Sequence, residues 1–132
     1  MQRWTKRYKA EFARNPHSKS FDFAELGRGA LVAIEDCRGA DYVTTVFASI
    51  WARQADLSQR SVLIDALDAA DFDARQLFER ANSAELVARQ EAETKAAADR
   101  GVFGAPTMFV NNEMFFGNDR LDFVVEALHS TT

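Results

Sequence analysis

GVFGAPTMFVNNEMFFGNDR, residues 101–120, changes backbone direction four times within one short stretch. Gly101 follows the run SAELVARQEAETKAAADR, residues 83–100, which is rich in strong helix formers. Without a Cβ it suits the left-handed position that closes a helix. Pro106 has no N–H to give, so it belongs at the first position of a strand or at a bend. Thr107–Val110 and Glu113–Phe116 are then expected as two extended segments. Asn111-Asn112 is their turn, because asparagine visits the left-handed region more readily than other non-glycine residues. Gly117-Asn118-Asp119 leads into a closing helix. Asn118 is its expected N-cap, Asp119 and Asp122 suit the positive end of the dipole, and Leu121, Val124, Val125 and Leu128 form one apolar face. The predicted order is helix, proline loop, hairpin, helix.

Working outward, the pattern upstream is mainly helical and shows no repeat. Phe23, Leu26, Ala30, Val32, Ala33 and Ile34 recur in helical rhythm, with Gly39 as the expected terminator. A second helix is expected from about Asp41 to Gln54, placing Tyr42, Val46, Phe47, Ile50 and Trp51 on roughly one face. Ser58 and Asp73 are placed to cap two shorter helices, and Ala10–Arg14 is a short extended stretch. The chain has 132 residues, enough for one domain with a real core, and eleven phenylalanines supply much of its apolar bulk. Its net charge of −4 comes from interspersed acids and bases without a basic patch, which argues against a nucleic-acid partner. No apolar run approaches the ~20 residues that span a bilayer, and no signal-peptide profile opens the sequence. The single cysteine, Cys37, has no partner for an internal disulfide and is expected to be a small buried apolar residue. These features fit a cytoplasmic protein.

The words GVFGAP and MFFGNDRL carry a family resemblance. A loop with a proline before a strand, a hairpin and a final helix is similar to the second half of a thioredoxin fold. Those two motifs resemble the DsbA-like branch that holds 2-hydroxychromene-2-carboxylate isomerases and kappa-class glutathione transferases. Trp4–Tyr8 resembles the end of the helix before that family's second strand, Asn15-Pro16-His17 the loop after it, and Leu31–Asp71 the inserted helical domain. The resemblance implies an α/β class, a partial thioredoxin-like fold in one N-terminally incomplete domain. Residues 21–100 would be the helical insertion and residues 101–132 the C-terminal thioredoxin half. Family members carry a reactive serine or a Cys-x-x-Cys between their first strand and helix. Neither motif occurs in this sequence, so no catalytic residue is assigned.

The resemblance implies glutathione as cofactor and a small aromatic-derived substrate. In the isomerases the glutathione thiolate adds to an aromatic-degradation intermediate, opens its ring, permits a bond rotation and leaves. A cis peptide bond before Pro106 is implied, with the Ala105 backbone pairing with bound glutathione. For Asn118 and Asp119 two readings stand together: helix capping, and reception of the γ-glutamyl end of glutathione, with Asp119 facing its ammonium. Asn15, His17 and Trp51 are candidates for a substrate pocket; a solvated loop histidine and a core tryptophan are the plainer readings. The family pattern follows the histidine with an apolar residue and a proline, where this chain has Ser18-Lys19-Ser20. His17 and His129 lack ligand-like spacing, so no metal is expected. Loss of the reactive motif would leave the chain inactive or weak. A protein-disulfide oxidoreductase fragment and a non-catalytic interaction module are the alternatives. A homodimer is expected, by pairing of the hairpin with its copy or by exchange of segments.

Overall fold

A computed structural model describes residues 2–130. The described residues fall into two compact units, one reaching Gln90 and the other starting at Glu91. The first unit is helical: α1 (Gln2–Tyr8), α2 (Phe23–Glu35), α3 (Gly39–Phe47) continued by a π-helical turn (Ala48–Ala52), α4 (Arg60–Asp68) and α5 (Ala74–Ala81). α6 (Ala84–Asp99) begins there and runs on into the second unit. α2 packs against α3 and α5, and Val32, Leu67, Tyr42 and Phe78 are sealed in the core between the helices. Burying a Leu67- or Phe78-sized side chain contributes about 2–3 kcal/mol each.

Helix ends follow side-chain chemistry where it is local. Asp22 accepts from the Glu25 N–H at 2.9 Å, and Asp73 caps α5 as its sequence position predicts, accepting from the Gln76 N–H at 2.9 Å. Ser58 caps nothing. Its N–H and hydroxyl both donate to Asp56 Oδ1, at 3.2 and 2.6 Å, because a carboxylate two residues upstream is a stronger acceptor than any role the hydroxyl has at the helix start.

Gly39 does not end α2; it opens α3, where a Cβ would lie 2.6 Å from Ile34 Cγ1. The terminator is Cys37, at φ 58°. The Arg38 N–H reaches Ala33 O at 2.7 Å and the Cys37 N–H reaches Ile34 O at 3.0 Å, the paired bonds of a Schellman closure. Cys37 is therefore exposed rather than buried, since the left-handed position aims its side chain away from the helix.

Ala10–Arg14, expected to be extended, has no regular secondary structure and joins no sheet. The π turn and the end of its helix leave carbonyls without helical partners, and this segment supplies donors for them. The Ala13 N–H donates to Trp51 O at 2.7 Å and Asn15 Nδ2 to Ile50 O at 3.0 Å. The Ala13 N–H, spent on a helix end, is not free for a sheet ladder.

In the second unit α6 closes at Gly101, φ 87°, with the Val102 N–H on Ala97 O at 3.1 Å. β1 (Thr107–Val110) and β2 (Glu113–Phe116) pair antiparallel, Thr107 opposite Phe116 and Val110 opposite Glu113. Asn111 takes φ 52° in the turn, as its residue type predicts. The rings of Phe103 and Phe116 lie 4.6 Å apart, and the Arg100 guanidinium sits 3.7 Å above Phe109. α7 (Leu121–His129) packs on β1 but half-buries only Val124 and Ala127. Leu121, Val125 and Leu128, expected to face inward, are exposed, because two four-residue strands cover only a narrow stripe of the helix. No helix among the described residues is long and apolar enough to cross a membrane.

Candidate functional site

The loop before β1 and the turn after β2 meet at one end of the hairpin. The Ala105-Pro106 peptide bond is cis, as the resemblance implies. Thr107 Oγ1 donates to Gly104 O at 2.6 Å and pins the loop from below. The Gly117 N–H donates to Pro106 O at 2.9 Å, extending the hairpin ladder by one bond beyond Thr107 and Phe116. That bond brings Ala105 and Pro106 beside Asn118 and Asp119. Gly117 must be glycine here: its φ of 100° and ψ of 149° lie where a side chain clashes, and Asp119 Oδ1 stands 2.5 Å from the place a Cβ would occupy.

Asn118 is not the N-cap of α7. A three-residue 3-10 turn, Asn118–Arg120, comes first, and Arg120 precedes α7 without a side-chain cap. The glycine backbone makes the turn, so the asparagine amide is not drawn into it. Ala105, Pro106, Asn118 and Asp119 are all exposed. Among the described residues, the Asn118 amide, the Asp119 carboxylate and the Ala105 N–H and C=O have no hydrogen-bond partner. The result is a small concentration of unspent donors and acceptors on a braced frame.

The other three sequence candidates belong to the first unit. Asn15 is buried at 2% exposure, and its amide is fully engaged: Nδ2 donates to Ile50 O and Ala55 O at 3.0 and 2.8 Å, and Oδ1 accepts from the His17 N–H at 2.8 Å. It shapes the loop that presents His17. His17 is exposed, with Nδ1 3.6 Å from Asp56 Oδ2. The Ser58 hydroxyl, then the Gln59 amide, holds the Asp56 carboxyl below the usual carboxylate range, so this neighbour of His17 stays ionised. Trp51 is half-buried, stacked on Phe12 at 5.4 Å, and lines an apolar groove between α2 and α3.

The family model of the DSBA-like thioredoxin domain matches residues 1–129. The chain belongs to the DSBA-like thioredoxin family. A 2-hydroxychromene-2-carboxylate isomerase of Pseudomonas putida is 34% identical over 131 residues, covering 96% of this chain and 61% of its own length. One of Sphingobium xenophagum is 31% identical over 128 residues, covering 97% and 64%. A solved structure of a selenomethionine 2-hydroxychromene-2-carboxylate isomerase superposes with a TM-score of 0.81 at 27% identity, covering 98% of this chain and 63% of that one. The chain thus spans about three fifths of the length of the curated relatives it matches. In this DSBA-like chain, sequence reasoning overlooked two supports of the loop, Thr107 and Gly117. A hydroxyl directly after the proline, and a glycine directly after β2, were the available signals.

Proposed function

We propose that this chain carries the glutathione-binding part of a 2-hydroxychromene-2-carboxylate isomerase and serves a small aromatic-derived substrate. The observation that supports it most is the shared name of three curated relatives, 31–34% identical over 96–97% of the chain. The geometry at the hairpin end fits glutathione in chemical kind. The unspent N–H and C=O of Ala105 match a peptide backbone lying alongside, with Pro106 forming the wall beneath. The free Asp119 carboxylate suits the α-ammonium of the γ-glutamyl end, which backbone donors cannot hold, and the Asn118 amide suits its carboxylate. When bound, glutathione supplies a thiol nucleophile, whose thiolate is the reactive form. In the first unit, Asn15 fixes the loop that presents His17. Within these 132 residues there is no Cys-x-x-Cys, and the one thiol, Cys37, belongs to the first unit at the end of α2 while the proposed glutathione residues belong to the second. The chain alone is therefore proposed to bind glutathione without appreciable turnover.

Two measurements test this reading. Calorimetry with glutathione is expected to show saturable binding that Asp119→Ala weakens about 5-fold, the effect of losing one exposed charge-assisted contact of about 1 kcal/mol. A rate assay with 2-hydroxychromene-2-carboxylate and glutathione is expected to give no turnover above background. Unchanged affinity in the variant removes Asp119 from the site, and robust turnover means that a residue within this chain activates the thiol.

A further inference from the structure

We propose that the outer edge of β2 and the adjoining face of α7 form a self-complementary interface, closed by the same edge of a second copy of this chain. The proposal rests on the second unit alone and does not depend on the isomerase reading. The Gly117 N–H bond to Pro106 O fixes the ladder: by antiparallel alternation, Met108 exchanges backbone bonds with Phe115 and Val110 with Glu113. Met114 and Phe116 therefore turn their N–H and C=O groups away from β1. Among the described residues nothing receives them.

That edge borders a cavity of about 460 Å³, lined by β2 on one side and by Arg120, Phe123, Glu126 and Ser130 on the other. Its charges are sorted along the strand. Arg120 follows closely on Phe116 and stands at that end of β2. α7 then runs back toward the turn, since Ser130 lines the same cavity as Glu113. Glu126, about 9 Å of helix beyond Arg120, thus lies at the end where Glu113 opens the strand. Among the described residues Arg120 makes no ion pair with either glutamate or with any other carboxylate. Along the same cavity Met114, Phe116 and Phe123 are 38, 42 and 50% exposed.

A second copy answers each of these features at once. A two-fold axis beside Phe115 pairs the two β2 edges antiparallel, with Met114 of one copy opposite Phe116 of the other, and the free N–H and C=O groups of both are exchanged. The same rotation carries Arg120 of each copy to the Glu113 and Glu126 end of the other, so both unpaired charge clusters gain an opposite partner. The two hairpins become one sheet with both α7 helices on the same face, and the two Phe123 rings meet across the seam. A parallel approach would set like charges together. A strand of uniform charge from another protein would match one end and be repelled at the other.

Sedimentation equilibrium of the full chain tests the interface. A dimer is expected at micromolar concentration, loosening as salt rises. Arg120→Glu, and separately Glu113→Arg with Glu126→Arg, set like charges together, and each is expected to raise the dissociation constant at least about 10-fold. All three positions are exposed, so these changes leave the core untouched. An equimolar mixture of the two variants is expected to regain wild-type affinity, because in the mixed dimer both ends are again opposed in charge. Hydrogen exchange gives a second reading: the Met114 and Phe116 amides are expected to gain protection as wild-type concentration rises, and to lose it in either variant alone. A monomer at micromolar concentration overturns the proposal and leaves the edge for a different partner. A dimer whose Met114 and Phe116 amides exchange freely, or a mixture that associates no more tightly than its components, overturns it as well.

Discussion

Substitution of Asn15 separates a structural pin from a surface loop residue. Its Nδ2 donates to Ile50 O and Ala55 O, and its Oδ1 accepts from the His17 N–H, all within 3.0 Å at 2% exposure. Asn15→Ala strands two carbonyls that the end of the π-helical segment cannot satisfy. Each costs about 1–2 kcal/mol, so the total is about 2–4 kcal/mol. Asn15→Asp keeps shape and the bond from His17, but sets a carboxylate oxygen against two carbonyl oxygens. It is expected to cost more than Ala at neutral pH. That environment raises the folded-state pKa of the introduced carboxyl, so the folded state binds the proton more tightly than the unfolded state. The penalty is then smallest below the unfolded value of about 3.9 and grows as pH rises above it. Urea unfolding followed by Trp51 fluorescence in a Trp4→Phe background reads the effect. With a slope of about 1–3 kcal/mol per M, the Ala variant is expected to lose roughly 1–2 M in its midpoint. A loss under about 0.5 kcal/mol, or an Asp variant equal to Ala at every pH, would refute the claim that Asn15 holds the loop to the π-helical turn.

Tyr42 ionises far above the ordinary tyrosine range, first because burial penalises the phenolate and then because Glu25 adds like charge. Its stabilising effect is complete below the unfolded value of about 10 and is lost as pH rises beyond it, so its ultraviolet titration should coincide with alkaline unfolding; a phenolate signal from folded protein excludes this. Gly117→Ala is expected to cost about 1–3 kcal/mol and to weaken glutathione binding, through a disallowed φ and the Asp119 contact; hydrogen exchange at that amide checks the first and calorimetry the second. Both outer edges of the two-strand sheet are unpaired among the described residues, and Met114, Phe116 and Phe123 are exposed. Light scattering at micromolar concentration is therefore expected to report a dimer, which Met114→Lys should weaken; a stable monomer counts against pairing through the hairpin.

The second unit was legible because its signals are local. Gly101, Pro106 and Asn111 each state a backbone requirement that no neighbour has to supply, and the hairpin register follows from them. Three helix ends were not legible. α1, α2 and α4 close on Lys9, Cys37 and Asp71, all with positive φ, in the same paired-bond geometry that α6 achieves with Gly101. A left-handed non-glycine residue costs about 1–2 kcal/mol, and a lysine or a cysteine does not announce it. Packing on either side of the turn offsets that cost, as where the Arg38 guanidinium reaches Asp71 O at 2.6 Å and lies 4.0 Å over Phe72.

By itself the sequence determined the order of elements from α6 onward, the cis proline loop through its family motif, and which residue types stand near that loop. Only the tertiary structure decided that Asn15 is a buried pin, that Asn118 is free of capping, and that Ala10–Arg14 serves a helix end instead of a sheet. The division has one physical cause. A turn depends on torsions within a few consecutive residues, whereas the partner of a side-chain amide or a stranded carbonyl is chosen by folding across tens of residues, where sequence spacing carries no record of the bond.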